Sequence, residues 1–356
     1  MKYRMVQLLS SESATTAATK TMDINLVTPV SRIVIRMKGT NNGSTPTAHP
    51  AKMLSRIELV DGSEVLFSLS GVETGCLNFH ENGELPFYCN EYENDIECCA
   101  TAQLNFGREL WDTEFALDPR RFKNLQLKIT HNKILGGSAC DAATLAVFAY
   151  VFEDSPPAPR GFLMSKELYS YSLTSLAHQY VDLPRDYPFR FVILQSYEST
   201  YPPNTQFGNL KFTIDTDRRV LLNNIPMSEF LKVQMPMDLV EERFAGLGTG
   251  SAVSYYMAST YDNYGIGVGR SAGSAGFIVG QPSGPRIQVT NDASESFGCY
   301  EVGLCAFGGM NLLLCDKMDV ASWLNPIGAE SIQLDITAGD GASGTAYVVI
   351  QQARNY

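Results

Sequence analysis

Basic residues are scarce in this chain. Against 38 Asp and Glu it carries 27 Lys and Arg in 356 residues, a formal charge of −11. The absence of a strongly basic tract to displace counterions from a polyanion argues against broad nucleic-acid binding. Histidine is rarer still: the four stand at His49, His80, His131 and His178. Neither His-x-His nor His-Glu-x-x-His occurs, which removes the commonest imidazole metal centres and the zinc-protease motif. The eight cysteines (76, 89, 98, 99, 140, 299, 305 and 315) include no Cys-x-x-Cys pair, and most lie in apolar runs such as Gly303 to Phe307. They read as reduced core thiols of a protein made in a reducing cytoplasm. No apolar run approaches the roughly 20 residues that span a bilayer. Met1 to Leu9 carries positive charge, but its apolar stretch is too brief for a secretory leader.

What is present is aromatic and extended. The chain has 18 Phe and 17 Tyr, is 44% hydrophobic and only 18% charged. That composition describes a folded protein dominated by strands. Its length allows two domains of about 150–180 residues. Residues 1–20 are polar and read as an N-terminal arm, either frayed or docked on a neighbour. Residues 21–154 form a first domain, with strands at Ser31–Met37, Ser55–Val60, Glu64–Leu69, Thr101–Phe106, Leu125–Thr130 and Thr144–Phe152. Asp61-Gly62 is a hairpin turn signal. Residues 155–179 read as a linker opening on the run Pro156-Pro157-Ala158-Pro159. Residues 180–356 form a second domain, whose Gly-rich stretch at about 246–284 reads as loop.

The two domains echo each other. Leu117 to Thr130 and Leu324 to Thr337 share Leu, Pro, Gln, Leu, Ile and Thr at one constant offset of 207 positions, without a gap. Arg32 to Ile35 matches Arg190 to Ile193, the Ile57 strand matches Leu210 to Asp215, and Val65 to Phe67 matches Val220 to Leu222. Thr144 to Phe152 matches Thr345 to Ile350. The jump in offset places a long insertion in the second domain between Met227 and Cys299. Such a repeat is a domain duplication rather than a solenoid. The expected fold is all-β: two tandem eight-stranded jelly rolls, with short helices in loops.

Reactive constellations are absent. Gly246 to Gly250 and Gly265 to Gly269 lack the phosphate-cradle spacing and any Walker lysine, and read as loop backbone. Glu91, Glu93, Asp95 and Glu97 read as a solvated acidic loop; a structural divalent cation is the competing reading, but the EF-hand glycine and final Glu are missing. No catalytic, cofactor-binding or metal-binding residue is assigned, and no enzymatic activity is expected.

The stretches Tyr180 to Arg185, Phe189 to Ile193, Leu210 to Asp217 and Ile225 to Leu231 resemble the second barrel of double jelly-roll major capsid proteins. Ile33 to Met37 and Ile57 to Leu69 resemble the first barrel, and Leu125 to Thr130 and Ile332 to Thr337 the ends of both. The resemblance is to the capsid proteins of membrane-containing tailless icosahedral phages such as corticoviruses and finnlakeviruses, in the lineage that includes adenovirus. The resemblance implies a virion protein assembled in the host cytoplasm. It implies homotrimers that form pseudo-hexameric capsomers and tile an icosahedral shell over an internal membrane. The implied partners are further copies of the chain, minor capsid, penton and membrane-associated virion proteins, and the internal membrane, reached by the inner face or N-terminus. The competing class is a secreted double β-sandwich that binds or cleaves glycans. It would want a leader peptide and a surface aromatic strip, and Trp111 and Trp323 read instead as core or corner residues.

Overall fold

In a computed structural model of the chain, the described residues are 2–42, 47–136, 140–154, 156–198, 200–234, 239–247, 251–269, 277–280, 284–290 and 296–356. The first half contributes β1 (Tyr3–Ser13), β2 (Ala18–Asp23), β3 (Val30–Asn41), β4 (Leu54–Asp61), β5 (Glu64–Leu69), helix α1 (Gly71–Asn82), β6 (Asn90–Glu91), β7 (Glu97–Asn105), β8 (Leu125–His131) and β9 (Cys140–Phe152). The second half contributes β10 (Gly161–Ser172), β11 (His178–Asp182), β12 (Phe189–Gln195), α2 (Pro203–Gln206), β13 (Phe207–Ile214), β14 (Arg219–Pro226) and α3 (Met227–Gln234). It continues with β15 (Leu239–Leu247), β16 (Val253–Tyr256), β17 (Tyr261–Gly269), β18 (Phe277–Gly280), β19 (Arg286–Val289), β20 (Ser296–Leu304), β21 (Gly309–Asn311), β22 (Ile332–Ala338) and β23 (Thr345–Asn355).

The sheet orders show the duplication. One sheet runs β1-β9-β3-β7, and its counterpart in the second half runs β10-β23-β12-β21. The opposing sheets run β2-β8-β4-β5 and β11-β22-β13-β14. Position for position these are the same arrangement, two eight-stranded jelly rolls. Each pair of sheets encloses its own core. Ile33, Ile35, Ile57, Leu59 and Leu127 meet in the first, and Phe189, Leu194, Phe212, Leu334 and Val348 in the second. Each fully buried side chain of this size contributes about 1.5–3 kcal/mol. The barrels are fused, because β5 and β10 pair in parallel, with Phe67 opposite Ser165 and Ser68 opposite Lys166. The joint sheet therefore runs unbroken through eight strands, β2-β8-β4-β5-β10-β23-β12-β21.

The corner that repeats in sequence repeats in hydrogen bonding. Val30 and Leu117 exchange backbone bonds, as do Phe189 and Leu324. Phe122 N donates to Pro119 O, and Ala329 N to Pro326 O. Asp61 Oδ1 accepts from the amides of Lys123 and Asn124, and Asp215 Oδ1 from those of Glu330 and Ser331. The recurring glutamine has one task in both copies. Gln126 Nε2 donates to Asp23 at 2.8 Å and Gln333 Nε2 to Asp182 at 2.9 Å, each tying its strand to the adjacent edge strand. Both strands bury alternate residues in the same pattern, starting at Leu125 and Ile332.

Three expectations are corrected. Residues 1–20 are not a free arm: β1 pairs with β9 from Tyr3 opposite Phe152 to Ser13 opposite Thr144, and β2 pairs with β8. Nor are residues 155–179 a linker, because β10 begins at Gly161 and pairs with β23 along its full length, and β11 begins at His178. β1, β2 and β11 are edge strands, paired on one side and largely exposed, so their sequences carry little apolar alternation. Among its described residues the Gly-rich stretch is also mostly strand. β15, β17, β18 and β20 form a small sheet with β6, and β16 pairs with β19 beside it. Gly246 in it is a packing residue: a Cβ there would lie 2.5 Å from the Tyr255 hydroxyl and 3.0 Å from the Phe297 ring, so glycine clears space for aromatic neighbours. On β20, outside the stretch, a Cβ on Gly303 would lie 2.7 Å from Ser259 Oγ. This insertion, the crown sheet below, has its own small core of Phe244, Tyr255, Met257 and Phe297. Residues 248–250, 270–276 and 281–283 of the Gly-rich stretch lie outside the described residues.

Helix α1 occupies the first barrel at the place where α3 precedes the crown in the second. Its ends are locally encoded. Ser70 accepts from Glu73 N while Glu73 Oε2 accepts from Ser70 N, and Gly83 ends the helix with φ 79°.

Candidate assembly site: the seam and the crown clamp

Among the described residues no three His, Cys, Asp or Glu side chains gather as a metal site. The acidic run does not converge: Glu97 pairs with Lys38, and Asp95 accepts a hydrogen bond from Asn94. The histidines scatter. His49 and His131 are buried, His178 sits at the surface against Asp335, and His80 lies on α1 itself, its ring 6.3 Å from that of Phe191. His80 is held down to about 4 by burial, against a hydrogen bond with Gly309 that favours its protonated form. The two tryptophans lie at barrel corners. Trp111 stacks on Tyr3 at 4.1 Å, and the buried Trp323 stacks on Phe115 at 6.1 Å.

The polar groups that are concentrated lie between the barrels. Arg190 projects from β12 and is wholly buried. Its Nε donates to Lys317 O at 3.0 Å, Nη2 to Arg108 O at 3.0 Å and Nη1 to Gln351 Oε1 at 2.9 Å. Gln351 in turn donates to Glu81 Oε1 at 2.7 Å and to Ser165 Oγ at 3.0 Å. Glu81, near the end of α1, also accepts from Asn78 and Asn105, and lies 3.9 Å from Arg190. The network joins α1 and β7 of one barrel to β10, β12 and β23 of the other. A buried pair of this kind adds little net stability over an apolar one, but it fixes which surfaces meet, because any other docking strands a charge.

A second clamp ties the crown to the first barrel. Ala51 N donates to His49 Nδ1 at 3.1 Å, so His49 carries its proton on Nε2, which donates to Glu242 Oε1 at 2.7 Å. Glu242, on β15, further accepts from Asn90 Nδ2 at 2.6 Å and from Ala258 N at 2.8 Å. The His49 ring sits edge-on to Tyr88 and Phe307. Beside it Glu301 takes a hydrogen bond from Ser259. Burial pushes the Glu301 carboxyl well above the usual range, and the Glu242 charge reinforces this. β15 also adds β6 to its edge, with Phe244 opposite Asn90 and Ala245 opposite Glu91.

The crown's outer face interleaves apolar side chains with the charges of Glu241 and Arg243. Tyr264, Ile266 and Val268 alternate outward on β17, Tyr300 on β20 and Leu239 on β15, with Phe87 of the neighbouring loop 66% exposed beside them. Shallow clefts of about 490 and 500 Å³ flank Phe87, Arg243 and Tyr300.

Sequence reasoning missed Arg190, Glu81, Gln351, His49 and Glu242 as an organised set. One signal was present: an arginine inside the otherwise apolar run Phe189 to Leu194, every residue of which is buried.

The fold is the double jelly roll of viral major capsid proteins. Among solved structures the chain is similar to the STIV MCP, with TM-score 0.58 and 9% identity over 99% of this chain and 96% of that one. It is similar also to a chain in the atomic structure of Sulfolobus Turreted Icosahedral Virus, at TM-score 0.58 and 12% identity over 99% and 90% of the two chains. A third likeness is to the PBCV-1 virus capsid, at TM-score 0.53 and 12% identity over 99% and 93%. No protein-family model matches the chain, and no curated protein matches it.

Proposed function

We propose that this chain is the major capsid protein of an icosahedral virus, a structural protein without enzymatic activity that acts in the virion shell. The observation carrying the reading is the duplication itself, two jelly rolls with matching strand orders fused through one continuous sheet. Three such chains present six near-equivalent blocks and fill a hexagonal lattice with threefold symmetry alone, through heterologous ring-closing contacts. The homotrimer is then the capsomer, and lateral contacts between capsomers tile the shell. Likeness across nearly the full length of chains described as an MCP and a virus capsid supports this.

The finer reading places the shell over an internal membrane, in a tailless phage, with minor capsid and penton proteins closing the lattice. It rests on the sequence resemblance to membrane-containing phages. Size-exclusion chromatography with light scattering tests the core of the proposal: a mass of about three chains is expected, with pseudo-hexagonal particles in negative stain. A chain that stays monomeric at high concentration overturns it. Lipid analysis of purified virions tests the membrane.

A further inference from the structure

Half of the cysteines sit on or beside β7 and β9, and two of them touch. Cys98 of β7 and Cys140 of β9 lie with their sulfurs 3.3 Å apart, and both are buried. These strands are not neighbours, because β3 runs between them. The thiols meet above the strand because the β3 residue beneath them is Gly39. A Cβ there would lie 2.6 Å from Cys140 Sγ and 3.2 Å from Cys98 Sγ. Any other residue at position 39 would fill the gap the two sulfurs occupy. A mid-strand glycine normally weakens a strand, so it marks a place where something else must come close.

The pair is also chemically unequal. The two sulfurs share a hydrogen bond that either thiol can donate. That bond, with burial, pushes Cys98 far up, while it and the nearby Lys133 ammonium hold Cys140 below the usual thiol range. With the sulfurs 3.3 Å apart, a sulfenic acid formed on Cys140, the thiol beside the Lys133 ammonium, lies within reach of Cys98, the arrangement of an oxidation-sensitive pair.

We propose that Cys98 and Cys140 form a peroxide-reactive dithiol that closes to a disulfide, bolting β7 to β9 across β3. The Cys140 thiolate attacks one oxygen of hydrogen peroxide and the O–O bond breaks, giving Cys140 sulfenic acid and hydroxide, which takes up the thiol's proton to leave as water. The Cys98 sulfur then attacks Cys140 Sγ, the S–O bond breaks and a second water leaves. Two thiols lose two electrons, and one peroxide gains them. A small oxidant suits the burial, which excludes bulky disulfides. The proposal stands apart from the capsid reading, since it needs only the folded chain.

The test uses the full-length protein, treated with a few equivalents of hydrogen peroxide, then unfolded and alkylated with N-ethylmaleimide. The expected result is an intact mass lower by about 2 Da before alkylation, two fewer maleimide adducts after it, and a peptide map linking Cys98 to Cys140. The link closes a long loop, so Tm should rise by about 5 °C and fall back on addition of dithiothreitol. Cys98→Ser should remove the crosslink and leave Cys140 to advance to sulfinic acid. If Cys98 and Cys140 both remain alkylatable after peroxide, or if each oxidises separately in the wild-type chain, the proposal is wrong. A crosslink confined to other cysteines also overturns it. The wild-type map decides the matter even if the serine variant fails to fold. Gly39→Ala gives a second reading: the methyl group separates the sulfurs and should cut crosslink yield at least tenfold.

Discussion

Arg190→Met offers the sharpest test of how the two barrels are held in register. The side chain satisfies three acceptors, the part-buried Lys317 O and Arg108 O and the buried Gln351 Oε1, and stands 3.9 Å from Glu81. Methionine fills much of the volume but donates nothing. Each orphaned acceptor costs about 1 kcal/mol or more, and Glu81 keeps its charge without its closest cation. Removing one partner of a buried pair costs about 3–5 kcal/mol, so a loss of about 4 kcal/mol is expected. Arg190→Lys keeps the charge but not the fork that reaches three acceptors in three directions, and should lose about 2 kcal/mol. Pairing Arg190→Met with Glu81→Gln removes the stranded charge, and the double variant should be more stable than the sum of the single losses by about 1.5 kcal/mol or more. Urea unfolding followed by tryptophan fluorescence reports on the site directly, because the Arg190 guanidinium lies 5.9 Å from the Trp323 ring. A loss under about 1 kcal/mol for Arg190→Met, or strict additivity in the double variant, would refute the claim that this network specifies the seam.

Other consequences can be checked separately. Deleting residues 2–13 removes β1 and leaves the β9 edge unpaired, so the protein should lose cooperative unfolding and solubility; a well-folded trimer after the deletion would show that β1 is dispensable. Glu242→Ala strips the acceptor from His49, Asn90 and Ala258, and should raise hydrogen exchange across residues 239–304 while the strands of the second barrel stay protected. The pH response of His80 has a definite sign. Its folded value of about 4 lies below the free value of 6.5, so the unfolded chain takes up the proton first as pH falls. Stability should therefore drop by about 1.4 kcal/mol per pH unit between those values. Glu73, raised to about 7 by burial and by Glu167, acts oppositely: its contribution is present in acid and is lost as pH rises from 4.5 through 7. The two slopes oppose each other in the wild-type chain, so comparison with His80→Gln isolates the histidine, and an unchanged pH profile in that variant contradicts the assignment.

The sequence by itself determined the duplication. Leu117 to Thr130 and Leu324 to Thr337 were legible as one corner written twice, because each residue kept there has a local task that is the same in both copies. Leucine and isoleucine alternate into a core, proline turns the chain, and Gln126 and Gln333 hold an edge strand. The central strands were legible too, since burial on one or both faces stamps its period on the residues. The edge strands β1, β2 and β11 were not. They are stabilised by backbone hydrogen bonds to one neighbour, and backbone bonding leaves no mark on side-chain choice. The crown was misread for a related reason: glycine in its strands answers to Tyr255, Phe297 and Ser259, residues distant in sequence or on other strands. The seam was decided by tertiary structure alone. Arg190, Glu81 and Gln351 are far apart along the chain, and an arginine in an apolar strand acquires meaning only when folding delivers a carboxylate, an amide and two carbonyls to its guanidinium. Periodicity records which face of a strand is buried. It cannot record what waits on the other side.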